Sequence, residues 1–305
     1  YSMFSLRARF LCVTRRSFAT DQLRSKTRDY LFVQPKDLTV RDQAKKLAEE
    51  LDLDCIDIPP ALPKLSTFNV IQVTKEQLQL NYFKTIKDEL GIEKLELAAR
   101  YYTNFEKYFQ LMSKVERNPF MRSMTVPKDE AQQKIIDPKL PLDGVCILDC
   151  TAGLGRDAFR LAYAGARVTL VERNPVVHAI LKDGFARKEN YNPSIQQVVA
   201  RMNLLPCTDC DTVLDILEED NAKPHIVYLD PLHHVKTLPA GKLNNIAKAH
   251  IPRVITGSPT REEIANLIEK SKRIAIDRVV VKKPFYADLE NSGFRIFKSR
   301  SWRCE

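Results

Sequence analysis

From residue 145 onward the chain alternates short, mainly apolar runs with longer stretches in which apolar residues recur at helical spacing. Runs at 145–148, 166–171 and 226–229 each lead into a polar turn and a helical segment, and the alternation continues to residue 284. Such a pattern predicts an α/β fold, a doubly wound, mainly parallel sheet with helices on both faces. Upstream the pattern is mixed. Residues 30–33 predict a strand, 40–51 a helix, and Pro59, Pro60 and Pro63 a connection. Residues 78–115 place Tyr82, Phe83, Tyr101, Tyr102, Phe105, Tyr108 and Phe109 at helical spacing, which favours a helical core stripe over a base-stacking surface. Residues 119–141 read as a long linker or lid, and 294–302 alternate as a final antiparallel strand. No internal repeat is visible. The expected organisation is an N-terminal segment over 1–20, an α/β extension with its linker over 21–140, and the doubly wound domain over 141–305.

Candidate chemistry collects at the ends of the apolar runs. The first delivers Asp149-Cys-Thr-Ala-Gly-Leu-Gly-Arg-Asp-Ala158, a glycine turn opening a helix. The second ends near Glu172, nineteen residues after Gly153, where a carboxylate can hold a ribose hydroxyl pair. Gly153, Gly155 and Ala158 also satisfy the dinucleotide spacing, so an NAD enzyme competes with one that uses S-adenosylmethionine (SAM). Asp149 favours SAM. A carboxylate at the strand end suits the cationic aminoacyl group of SAM, whereas NAD would bring anionic pyrophosphate towards it.

The third run ends in Asp230-Pro231, with His233 two residues on. This is the layout of amino-group methyltransferases with a D/N-P-P-Y/F turn. The lone pair of an exocyclic base amine is delocalised into the ring, and a carboxylate with a backbone carbonyl accepting its N–H bonds can localise it. Pro231 has no N–H, so the turn presents acceptors. A plain strand terminator is the alternative for Asp-Pro alone, and the matching glycine loop upstream weighs against it.

The strings Asp149–Phe159, Glu172-Arg-Asn-Pro-Val-Val177, Asp183-Gly-Phe-Ala-Arg187, Val227-Tyr-Leu-Asp-Pro231 and Arg278-Val-Val-Val-Lys-Lys-Pro284, in this order and spacing, resemble the bacterial 16S rRNA guanine-N2 methyltransferases, the RsmJ group. Weaker similarity reaches upstream through Asn69 to Leu78, so the resemblance covers roughly residues 40–290. It implies a class I, Rossmann-like methyltransferase fold and SAM contacts from Arg156, Asp157, Glu172, Arg173 and Asp230, beside Asp149, Gly153 and Gly155. Catalysis would fall to Asp230, Pro231 and His233. Tyr286 or His233 would stack on the extruded base, and Lys236, Lys282 and Lys283 would meet RNA phosphate. Asn174 is expected to cap the following helix with Pro175 at its first position, leaving Glu172 free to meet ribose.

Three positions depart from the family. Asn118-Pro-Phe-Met-Arg-Ser-Met-Thr-Val-Pro127 stands where it carries a glycine-rich run, Met202 and Asn203 replace paired serines near adenine, and His233-His234 replaces an aromatic residue and proline. Asn203 can still bond adenine, and an imidazole can stack on guanine with a pH-dependent charge. These departures motivate a rival reading: a methyltransferase-fold factor that binds rRNA during small-subunit assembly without transferring a methyl group.

Residues 1–20 hold four arginines, no acid and interspersed Phe and Leu, and Arg16-Ser-Phe-Ala19 resembles a mitochondrial cleavage site. A transit peptide and the mitochondrial matrix are expected, with small-subunit rRNA and a ribosome assembly intermediate as partners. The net charge of +9 falls to +5 without those arginines, so RNA attraction would need local clusters such as 270–273, 282–283 and 295–303. Seven irregularly spaced cysteines predict reduced thiols rather than a disulfide framework, and Cys207-Thr-Asp-Cys210 with His225 falls short of a zinc site. No apolar run is long enough to span a membrane.

Overall fold

The computed structural model describes residues 31–56, 67–87, 93–112, 119–125, 140–231 and 259–282. The expectations for residues 1–20, the 59–63 connection, His233, Lys236, Lys283, Tyr286, the 295–303 cluster and the strand at 294–302 lie outside them.

Five strands form the main sheet: β5 (Cys146–Asp149), β6 (Arg167–Leu170), β7 (Met202–Leu204), β8 (Ile226–Leu229) and β9 (Arg278–Val281). Their spatial order is β7-β6-β5-β8-β9, and every pairing is parallel. Continuous apolar runs such as Ile226-Val-Tyr-Leu229 suit strands covered on both faces, and β8 is buried throughout. Side-chain alternation then sorts the core. Ile147, Val168, Leu170, Met202, Ile226 and Tyr228 enter one apolar layer, while Leu148, Val227 and Leu229 enter the other.

The first layer is completed by α2 (Phe105–Gln110), α3 (Pro119–Thr125), α4 (Arg156–Tyr163) and α6 (Pro193–Val199). The second is completed by α7 (Cys210–Glu219) and α8 (Arg261–Ile274). Helices therefore cover both faces, as the sequence predicts. A doubly wound sheet of this order reverses direction between β5 and β8, and the crevice beyond their carboxyl ends is where ligands bind.

The N-terminal part holds β1 (Leu31–Pro35), α1 (Arg41–Leu51), β2 (Thr67–Val73), β3 (Leu78–Lys87) and β4 (Glu93–Tyr101). β1 pairs parallel to β2, and β2, β3 and β4 form an antiparallel meander. The strand near 30–33 and the helix at 40–51 agree with expectation. The helix expected over 78–115 does not: residues 78–87 and 93–101 are two strands, and among the described residues of that range the α-helix is α2 alone. Leu78, Leu80 and Tyr82 alternate with Gln79 and Asn81, a period of two that the helically spaced aromatics after Tyr101 obscure. Residues 119–125 are likewise no linker, because Met121 and Met124 of α3 are buried in the first core layer.

One helix joins the two parts. α5 (Pro175–Ala186) starts as expected, with Asn174 Oδ1 accepting from the Val176 and Val177 N–H groups and Pro175 in the first turn. Its Val176 and Ile180 pack into the core of the N-terminal sheet. Farther along, Asp183 Oδ2 accepts from the Leu78 N–H at 3.0 Å, and Arg187 donates to the Thr103 carbonyl at 2.9 Å. Between them sits Gly184, where a Cβ would stand 2.3 Å from Thr103 Cγ2 and 2.7 Å from Thr103 Cβ. Gly184→Ala would gain about 1 kcal/mol of helix propensity and lose about 1–3 kcal/mol to overpacking. Net destabilisation is expected, read as a lower urea midpoint, and a variant as stable as the parent would refute this account of the joint.

Candidate active site

The carboxyl ends of β5, β6 and β8 bring together Asp149, the glycine loop, Glu172 and Asp230. Gly153 and Gly155 have φ of +54° and +77°, and a Cβ on Gly155 would lie 2.8 Å from Leu181 Cδ1. The loop therefore needs glycine at 155 for both conformation and space. Asp149 is 1% exposed, with Oδ1 accepting from the Thr151 N–H at 3.0 Å. Burial, opposed by that hydrogen bond and reinforced by the nearby carboxylates of Asp157, Asp230 and Glu172, pushes its carboxyl up to about 8.

Glu172 is not left free, in contrast to expectation. Its Oε2 accepts from the Gly153 N–H at 2.9 Å and Oε1 from the Asn174 N–H at 2.8 Å. Burial raises its carboxyl above the ordinary range despite these bonds. A carboxylate offers about four lone-pair positions, so both roles are compatible: Glu172 braces the loop and still presents acceptors.

Asp157, at the start of α4, is also occupied. Tyr228 Oη donates to its Oδ2 at 2.8 Å, Lys282 Nζ donates to the same oxygen at 2.8 Å, and Arg160 lies 3.2 Å from Oδ1. Burial alone would raise this carboxyl, yet Lys282, Tyr228 and Arg160 bring it below its ordinary value. Lys282 also donates to Asp230 Oδ2 at 2.6 Å. Its ammonium, disfavoured by burial but flanked by Asp230 and Asp157, is raised to about 12. The Lys282 expected at RNA phosphate thus faces the protein's own carboxylates. The reason is register: Leu229 pairs with Val281, so the next residue of each strand reaches the same edge.

A further tie joins the two half-sites. The Asp230 N–H donates to Thr151 Oγ1 at 2.7 Å, fastening the Asp-Pro turn to the glycine loop. Thr151 and Tyr228 were not singled out in the sequence, where a hydroxyl inside Asp-Cys-Thr-Ala-Gly is the one available signal.

A family described as "Putative SAM-dependent methyltransferase" matches residues 73–297. The chain belongs to that family. Its cofactor is S-adenosylmethionine, as the carboxylate at the strand end anticipated. Curated relatives carry the name "Ribosomal RNA small subunit methyltransferase J". The protein of Vibrio parahaemolyticus is 42% identical over 149 residues, covering 48% of this chain and 56% of the relative. That of Photobacterium profundum is 39% identical over 144 residues, covering 47% and 54%. The chain thus spans about half the length of the curated relatives it matches. A SAM-dependent methyltransferase structure from Neisseria gonorrhoeae aligns over 83% of this chain and 84% of its own, at 22% identity and a TM-score of 0.49.

Other expected family residues fall less centrally. Arg156 begins α4 and is exposed, and Arg173 lies 3.9 Å from Asp209 with its side chain 41% exposed. Asn203 lies within β7 opposite Thr169, level with Leu148 and one residue short of the strand end. The loop after β7 approaches instead through Cys207, whose Sγ donates to the Arg173 carbonyl at 3.4 Å. Cys207 is pushed up to about 12, mainly by burial and secondarily by Glu172. Pro231 follows Asp230 and is buried.

Two further expectations change. Cys150 is joined to Cys210 by a disulfide, with Cα atoms 5.4 Å apart, where reduced thiols were expected. The pair is 60 residues apart in sequence, so no local spacing marks it. His225 stands at the amino end of β8, its Nδ1 accepting from the Cys146 N–H, and does not face Cys207 and Cys210 beyond β7. In the 270–273 cluster, Lys270 pairs with Asp211 and Asp215, and Arg273 with Glu218. No helix among the described residues is long and apolar enough to cross a membrane.

Proposed function

We propose that the chain transfers a methyl group from SAM to the exocyclic N2 of a guanine in small-subunit rRNA, acting on an assembly intermediate in the mitochondrial matrix. The observation that carries this reading is the 2.7 Å bond from the Asp230 N–H to Thr151 Oγ1, which sets the acceptor turn against the cofactor loop. The names of the curated relatives support rRNA as substrate. The arginine-rich, acid-free residues 1–20 support the compartment.

The site's charge suits this cofactor. Asp149, Asp157, Glu172 and Asp230 surround a loop that a cationic ligand would complete, and NAD pyrophosphate would be repelled there. When bound, SAM supplies an electrophilic methyl on a sulfonium. Asp149 would hold its ammonium group and Glu172 its ribose, with Arg156, Arg173 and Asn203 as its further contacts. Asp230 and the Pro231 carbonyl would accept the amine N–H bonds and orient the nitrogen for attack. The family resemblance would give base stacking to His233 or Tyr286 and phosphate contacts to Lys236 and Lys283, all outside the described residues. Asp230 need not be a strong base, because the nitrogen becomes acidic once methylated.

Calorimetric titration with SAM, followed by mass spectrometry of nucleosides from small-subunit rRNA incubated with enzyme and SAM, tests the reading. Binding and a new N2-methylguanosine are expected. Absence of binding at millimolar SAM would overturn it and favour the rRNA-holding factor.

A further inference from the structure

Lys282 is the residue whose surroundings the reaction scheme has not used. Carboxylates from two elements converge on its ammonium, Asp230 beyond β8 at 2.6 Å and Asp157 at the start of α4 at 2.8 Å, and Asp157 also accepts from the hydroxyl of Tyr228 on β8. Its own N–H donates to the Leu229 carbonyl at 2.8 Å, fixing the backbone from which the side chain springs. Asp157 is braced in turn by Arg160, whose guanidinium carbon lies 5.7 Å from the centre of the Phe120 ring. The Phe120 ring packs edge-on against Tyr228 at 5.3 Å, so α3 packs against this network.

We propose that Lys282 is a positioning residue for methyl transfer, holding the Asp230 carboxylate ionised and oriented against the Asp157 pillar rather than binding RNA phosphate. This rests on the methyl-transfer reading above. An ionised Asp230 offers acceptors only, which is what an amine with N–H groups to donate requires; a protonated one would present a competing O–H. The neighbourhood would otherwise resist that charge, because the Asp157 carboxylate shares the same ammonium and Tyr228 brings only a neutral hydroxyl. Among the described groups facing Asp230, Lys282 is the cation at hydrogen-bond distance. The bond to Thr151 fixes the backbone of the turn and the bond to Lys282 fixes its side chain, so the acceptor is held at two points.

The test compares the full-length protein with Lys282→Met, Lys282→Gln and Lys282→Arg. Single-turnover methylation of small-subunit rRNA is followed against pH, and Asp230 titration by carbon NMR of labelled aspartate, assigned with Asp230→Asn. Loss of the cation in the Met and Gln variants should lower the rate at saturating RNA by about tenfold to a hundredfold. It should also move Asp230 titration and the acid limb of the rate profile to higher pH, with both largely restored in the Arg variant. A merely structural role would alter melting without moving the limb. Unmoved Asp230 titration in folded Met or Gln variants would overturn the proposal. So would a defect confined to the RNA KM and its salt dependence, the signature of a phosphate contact. Should the Met variant fail to fold, the Gln and Arg pair decides alone. A wild type that binds SAM but methylates no rRNA would instead overturn the functional reading, with the NMR titration still judging Lys282.

Discussion

Asp230→Ala is expected to lower the rate of methyl transfer at saturating substrates by about 10²–10³-fold, the range for removing one preorganised polar group aimed at a reacting centre. The SAM dissociation constant should change far less, because the glycine loop and Glu172 hold each other through the Gly153 N–H without help from the Asp230 side chain. The backbone of the turn is also kept, since its N–H and not its carboxylate is tied to Thr151. Asp230→Asn should retain more activity than Ala, as an amide oxygen still accepts one N–H bond. Single-turnover rates with calorimetric SAM titration on the same samples separate the two effects. Equal losses of SAM affinity and rate would place Asp230 in cofactor binding instead.

This contrast between loop and turn shows what could be read in the chain and what could not. β5, β6 and β8 were legible because strands covered on both faces carry mainly apolar runs, and an acidic residue stands at or just beyond the end of each: Asp149, Glu172 and Asp230. The cap at Asn174 was legible because capping is local, made to N–H groups two and three residues on. The paired strands β3 and β4 were not, because their stabilisation comes from partners across the sheet while the nearby aromatics mimic a helix. The carboxylate partners of Lys282 were not legible for a related reason. Its partners Asp157 and Asp230 are 125 and 52 residues away, and only the strand order β5-β8-β9 brings them together. A lysine pair after a strand suggests phosphate until that order is known. Glu172 shows the same limit at shorter range: its place just beyond β6 follows from the apolar run, while its two backbone donors depend on how the loop folds back on it.

SAM affinity should depend steeply on pH, and Asp149 is the reason. Its carboxyl titrates at about 8 in the ligand-free protein, chiefly through burial, so at pH 6 to 7 it is largely protonated. A folded-state value above the unfolded one means that its contribution to stability is fully present below the unfolded value near 4 and declines as the pH rises towards 8. A cationic ligand reverses that preference. Binding the ammonium form of SAM favours ionised Asp149 and expels its proton, so the association constant should rise about tenfold per pH unit below pH 8. An α-amino group titrates near pH 7.7–8.0, so above that range loss of the ligand's own proton should bring affinity down again. The result is a maximum near pH 8, with about one proton released per SAM at pH 6.5, measurable by calorimetry in buffers of different ionisation enthalpy. Asp149→Asn keeps an acceptor for the Thr151 N–H but has no proton to release, so its rising limb should flatten and its affinity at pH 8 should fall. Equal proton release by wild type and Asp149→Asn would assign the linkage elsewhere, with Glu172, the other carboxyl raised by burial, the next group to test.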